Sequence, residues 1–195
     1  MPLSKERMCR VMIRLHCPID DPADLLTLSA GTPVLLSGTV ITARDAAHER
    51  LVQLIARREV LPVDMTNQVV YYVGPAPAPP GHVIGSAGPT TASRMDKWTP
   101  TLLSLGLKGM IGKGYRSEDV RSALIQYHAI YFGAIGGIGA LLSQCITVQR
   151  LVAFPELGPE AIYELTIHDF PVVVLIDTVG RNYYDDGQKA HRCRS

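Results

Sequence analysis

The sequence has no surplus of charge of either sign. Nineteen lysines and arginines face eighteen aspartates and glutamates, a formal net charge of +1. A broad nucleic-acid surface needs a concentrated basic face, so that partner is excluded and any anion site must be local. Long apolar runs are missing too. A stretch such as PVVVLID at 171–177 has the length of a buried strand, not of a membrane span. The opening MPLSKERMCR carries charge with no apolar stretch behind it, unlike a secretory signal. Cysteine is scarce and unpaired: Cys9, Cys17, Cys145 and Cys193 form no CxxC, which removes zinc-ribbon and thioredoxin readings. Four cysteines can hold an iron–sulphur cluster. This scattered set, with Cys193 in a polar tail, reads instead as reduced thiols in a cytoplasmic protein. The histidines are equally dispersed and make no metal triad.

What is present suits a folded α/β domain. Hydrophobic residues make up 47% of the 195 positions and charged ones 19%, enough apolar surface for one domain over 1–195. Strand patterns fall at 11–17, 33–42, 68–74 and at the start of HVIGSAGPTT, then in LKGMIGKG, AIYFG, ITVQRLVAF, AIYELTIHDF and PVVVLIDTVG. Helix patterns fall at 44–59, where Ala47, Leu51, Leu54 and Ile55 share a face, and at 117–128, where Ser117 caps a first turn holding Glu118 and Asp119. A helical turn is expected in TASRMDKW and a small-residue helix after the glycines at 136–139. PAPAPPG at 75–81 forces an extended surface loop. The tail 185–195 reads as frayed.

Two glycine clusters imitate nucleotide loops without matching them. In GAIGGIGALL, Gly137 and Gly139 call for a third glycine where Leu142 stands. In GLKGMIGKG, Gly106 lies one residue too far from Gly112, and Gly114 replaces the magnesium-binding hydroxyl of a P-loop.

Charge placement is more informative. The start of a helix is electropositive and disfavours cations unless an anion binds there. Arg44 stands at a helix start, offset in part by Asp45, and Arg94 follows the possible caps Thr90 and Thr91. Lys113 lies between Gly112 and Gly114, where backbone can approach closely. Three such cations suit a small dicarboxylate. Each could also pair with Asp45, Glu49 or Asp96. His48, one helical turn after Arg44, fits a role in orienting the site or moving a proton, and equally a structural bond to a carbonyl.

The segments SGTVITARDAAHERL, YYVGPAPAPPGHVIGSAGPTTASRMD, GMIGKG, AIYFGAIGGIGALL and ELGPEAIYELTIHDFPVVVLID occur in this order between about residues 20 and 184. Together they resemble the β subunit, or C-terminal domain, of class I iron–sulphur fumarases and L-tartrate dehydratases. The resemblance implies a swivelling β/β/α three-layer domain with a barrel-like mixed sheet. It implies that an α subunit carries the 4Fe–4S cluster, with no cofactor and no metal on this chain. It assigns substrate carboxylates to Arg44, Arg94 and Lys113 and matches Thr90 to the threonine proposed as base, with Asp45, His48 and Gly112 in support. A threonine is a weak base unless cations stabilise its alkoxide, so substrate positioning and helix capping stay open for Thr90.

The expected activity is hydration of fumarate to L-malate, a tricarboxylic-acid-cycle step, in a cytoplasmic αβ hetero-oligomer. An isolated chain would self-associate. L-tartrate dehydration, another dicarboxylate hydro-lyase reaction, or a stand-alone anion-binding module are the alternatives.

Overall fold

A computed structural model of the chain describes residues 12–134 and 139–192. β1 (Ile13–Cys17) and β2 (Pro33–Thr42) flank a short helix α1 (Ala23–Leu26), and three strand–helix units come next. α2 (Asp45–Ala56) leads to β3 (Val69–Tyr71), α3 (Thr99–Ser104) to β4 (Gly109–Gly112), and α4 (Glu118–Tyr127) to β5 (Ile130–Gly133). Then come α5 (Gly139–Gln144), β6 (Ile146–Ala153), β7 (Ile162–Ile176) and α6 (Tyr183–Arg192).

Among the described residues seven strands form one sheet, in the order β1-β2-β3-β4-β5-β7-β6. β1 to β5 pair in parallel. β7 runs antiparallel to β5, β6 and β2. Its pairing with both β5 and β2 closes β2, β3, β4, β5 and β7 into a five-stranded mixed barrel, with β1 and β6 outside the ring. This is the α/β, barrel-like architecture expected from the sequence.

The alternation of strand side chains builds two cores. Val69, Tyr71 and Val73 enter one apolar cluster with Leu36, Phe132, Phe170 and Val174. Val70 and Tyr72 point the other way, into a second cluster. There they meet Leu51 of α2, Leu102 of α3 and Leu124 of α4. The helices therefore cover one face of the parallel strands. No helix among the described residues is long and apolar enough to cross a membrane.

Several local expectations change. β3 spans three residues, and 82–90 is loop. Beyond β3 the Tyr72 N–H donates to the Ile111 carbonyl, and Thr91 forms an isolated parallel bridge with Lys113. AIYELTIHDF and PVVVLIDTVG form one strand of 15 residues, β7. Pro171 is tolerated inside it because the stretch paired with β6 ends at Ile167 and that paired with β5 begins at Val173, so one edge there has no neighbouring strand. The tail, read as frayed from 185, continues as helix α6 to Arg192, with Asp185 and Asp186 in its electropositive first turn. Gly137 of the first glycine cluster lies outside the described residues.

β2 carries an irregularity between Leu36 and Gly38 in its pairing with β7. Gly38 has φ +109°, and a Cβ on it would lie 2.1 Å from the Cys17 carbonyl oxygen. Rigid β1 backbone cannot yield to that clash, so Gly38→Ala should cost about 3 kcal/mol or more. Urea unfolding of the two chains measures it.

Candidate active site

β2, β3 and β4 run parallel, so their carboxyl ends lie side by side, the edge at which parallel α/β sheets, open or barrel-shaped, bind ligands. Arg44 stands two residues beyond β2 and Lys113 is the first residue beyond β4. The segment carrying Thr90 returns between them. The Thr90 N–H donates to the Tyr72 carbonyl at 2.7 Å, the Lys113 N–H to the Thr90 carbonyl at 3.3 Å, and the Ala92 N–H to the Lys113 carbonyl at 2.9 Å. Gly112 permits this approach, since a Cβ there would lie 3.0 Å from the Tyr72 ring and 3.1 Å from the Ala92 methyl. Arg94 comes next, on the 3₁₀ turn Ala92–Met95. The chain path thus gathers Arg44, Thr90, Arg94 and Lys113 on three adjacent strand ends.

The two arginines are held by carboxylates. Arg94 Nε donates to Asp45 Oδ1 at 3.0 Å, and its NH2 lies 2.9 Å from Oδ2. Arg44 NH2 lies 3.2 Å from Glu160 Oε1. Arg44 is the N-cap residue of α2, but its side chain makes no cap bond. Glu160 Oε2 accepts the Ala46 N–H at 3.1 Å instead, so a residue remote in sequence serves the helix start. Among the described residues the Lys113 ammonium and the Thr90 hydroxyl have no side-chain partner, and Lys113 is exposed. A cavity of about 500 Å³ opens elsewhere, against Pro79, Ser86 and Gln144, and none of these four residues lines it. Lys113 and half-exposed Arg94 face solvent, whereas the Arg44 side chain is only 21% exposed.

Behind them lies a buried pair that the sequence reading missed. Arg116, its side chain fully enclosed, donates from Nε to Asp96 Oδ1 at 2.6 Å and from NH2 to Thr99 Oγ1 at 2.7 Å. It also sits 5.1 Å from the Tyr131 ring centre and 5.4 Å from that of Tyr72. Asp96 Oδ2 accepts the Ser117 N–H at 2.6 Å. The Arg94 turn and the start of α4 are thereby locked together. The signal was available: Arg116 immediately precedes the cap Ser117, a third arginine at a helix start. Glu160 left no such trace, because its partners lie 114 and 116 positions away.

His48 is fully buried, and its Nδ1 lies 2.8 Å from the Arg44 carbonyl oxygen. A carbonyl only accepts, so Nδ1 carries the proton and Nε2, buried without a partner among the described residues, is a bare acceptor. Burial is the main force lowering its pKa from 6.5 to about 4, with the Arg44 carbonyl opposing. The ring packs on Tyr72 and Trp98 and steadies the Arg44 backbone; it is not placed to exchange protons with solvent.

Among the described residues no three His, Cys, Asp or Glu side chains converge to hold a metal. Cys17 is buried in the barrel core with its thiol pushed up to about 12, chiefly by burial, and Cys145 is the other described thiol. Cys9 and Cys193 lie outside the described residues. The described side chains do not fit an iron–sulphur cluster.

His48 makes a measurable contribution to acid sensitivity. Above pH 6.5 the ring is neutral whether the chain is folded or not; between 6.5 and about 4 only the unfolded chain takes the proton. Stability should fall across that window by about 3 kcal/mol at most. Denaturant unfolding against pH checks this, with His48→Gln flattening the slope.

Comparisons with known proteins identify the family. The family model described as fumarase C-terminus matches residues 3–187. The chain is 41% identical over 177 residues to the anaerobic class I fumarate hydratase of Escherichia coli K12, covering 89% of this chain and 32% of that protein. Fumarate hydratase 2 of Leishmania major is 39% identical over 177 residues, with 89% of this chain and 31% of that protein covered. This chain therefore spans about a third of the fumarate hydratases it matches. A Methanocaldococcus jannaschii protein named as a putative L(+)-tartrate dehydratase subunit beta is 32% identical over 172 residues, 85% of this chain and 88% of that one. With nearly its whole length matched, this chain belongs to the fumarase C-terminus family.

Proposed function

We propose that this chain is the carboxylate-binding β half of a hydro-lyase that interconverts fumarate and L-malate in the cytoplasm, paired with an iron–sulphur α partner. The observation that carries the reading is the set of three cations on adjacent strand ends, two arginines backed by Asp45 and Glu160 and a lysine with no counterion among the described residues. Removing water from a 2-hydroxy dicarboxylate takes a proton from the carbon beside a carboxylate, and charge builds on that carboxylate. Fixed cations aimed at it stabilise this charge more than the ground state. Arg94 and Lys113 bind and orient the carboxylates, and Arg44 holds the far end. The Thr90 hydroxyl, beside the Lys113 backbone, is the candidate base, its alkoxide stabilised by the same cations. A cluster held by the partner would supply Lewis acidity for the departing hydroxyl.

The exposure of Arg94 and Lys113 supports completion of the site by a second chain or domain. The fumarate hydratases are about three times as long as this chain. The tartrate dehydratase β relative is matched over 88% of its length, so a separate subunit of this size has a counterpart. That relative favours L-tartrate as the second substrate to try.

Anaerobic assays of this chain alone and with its reconstituted partner test the reading, using fumarate and then L-tartrate. Turnover in the mixture alone supports it. Turnover by this chain alone, or dicarboxylate binding with no turnover in either sample, overturns it, the latter in favour of an anion-binding module. Arg94→Ala should lower kcat/KM of the assembled enzyme by about 10²–10³-fold. Its fold should survive, because the Arg94 side chain is half exposed and such pairs contribute at most about 1 kcal/mol. For Thr90→Val, loss of a base should lower kcat by about 10²–10⁴-fold with KM little changed; a rise in KM alone would make Thr90 a positioning group.

A further inference from the structure

The segment ELGPE at 156–160 belongs to the sequence signature, yet its role in the site is unassigned apart from the contacts of Glu160. Its backbone is tightly specified. Gly158 adopts φ +55° and ψ −120°, a region closed to side-chain-bearing residues. The Tyr163 hydroxyl fixes the turn by donating to the Gly158 carbonyl at 3.2 Å, and the Ala161 N–H donates to the same oxygen at 3.0 Å. Glu160 then projects onto the start of α2. One carboxylate oxygen accepts the Ala46 N–H at 3.1 Å and the other lies 3.2 Å from Arg44 NH2. Backbone and helix dipole therefore anchor the carboxylate, and the anchored carboxylate holds the guanidinium.

The other side of Arg44 is shaped as closely. A Cβ on Gly74 would lie 2.5 Å from Arg44 NH1, so only glycine leaves room for the guanidinium there. That same Cβ would be 3.3 Å from the Pro159 carbonyl oxygen, so the 158–160 turn and the Gly74 backbone enclose Arg44 together. Arg44 Nε is buried with no partner among the described residues, a donor left over once Glu160 has taken NH2.

We propose that Glu160 is the positioning residue of Arg44: it fixes the guanidinium in its substrate-binding pose, with Gly74 and Gly158 as the steric conditions. This rests on the carboxylate-binding role proposed for Arg44. Two simpler roles make different forecasts. If Glu160 only caps α2, its loss lowers stability and leaves substrate affinity alone. If it only adds negative charge near the site, its loss tightens binding of a dianion. A positioning role requires affinity to fall although a repulsive charge has been removed.

Glu160→Gln separates these roles, since the amide oxygen still accepts the Ala46 N–H while the ion pair is lost. In the assembled enzyme, KM for the dicarboxylate should rise about tenfold with kcat nearly unchanged. In an Arg44→Ala background the same substitution should add nothing, because the effect passes through Arg44. An unchanged or lowered KM, or full additivity with Arg44→Ala, overturns the proposal. A second measurement needs no turnover. In the full chain the Arg44 Nε–H signal should exchange slowly with solvent and at least about tenfold faster in Glu160→Gln; equal rates overturn the proposal. Wild-type enzyme without hydro-lyase activity would defeat the proposed function, while the exchange data would still decide whether Glu160 holds Arg44.

Discussion

The antiparallel ladder between β2 and β7 joins residues 33–41 to 173–164 and closes the barrel. Antiparallel pairing sets the end of one strand beside the start of the other, so the residues just after β2 meet those just before β7. Arg44 and Glu160 are those residues. Thr42 reinforces the junction: its hydroxyl donates to the Ala161 carbonyl at 3.2 Å and accepts the Tyr163 N–H at 3.0 Å. The ring of strands and the charge arrangement at its rim share one cause.

The rim is electrostatically balanced from within. Three cations gathered in one place repel one another and would splay apart without counterions. Asp45 and Glu160 each reach an arginine without leaving the chain's own surface. Asp96 is engaged by the enclosed Arg116 and the Ser117 N–H, and Asp45 serves Arg94. Removing one partner of such an enclosed pair typically costs about 3–5 kcal/mol. Arg116 and Asp96 thereby make the 92–96 turn rigid beneath Arg94.

Much of this was legible in the chain because it is local. Two-residue alternation marked β1, and short apolar runs broken or ended by glycine marked β2, β4 and β5. The cap at Ser117, with its acids behind it, marked α4, and Ser117 Oγ accepts the Val120 N–H at 3.4 Å. Arg44 and Arg94 stood out because each offended the charge rule at a helix start, and Lys113 because two glycines frame it. The illegible parts depend on distance along the chain. β7 looks like two strands because His168, Asp169 and Pro171 interrupt its pattern, and only its neighbours reveal why the interruption is tolerated. The short β3 gave no warning either, since its flanking residues are held by loops whose arrival no local pattern announces. Glu160 is an ordinary acid after a proline until the barrel closes.

Closure by β7 also sets an order of events during synthesis. The parallel units up to β5 draw on neighbours close in sequence and can begin to organise as they emerge from the ribosome. A nascent chain that has not yet delivered β7 carries β2 and β5 with open edges and Arg44 without its counterion. Binding competence is therefore among the last properties the growing polypeptide acquires. An unfinished chain presents strand edges that a chaperone would have reason to cover.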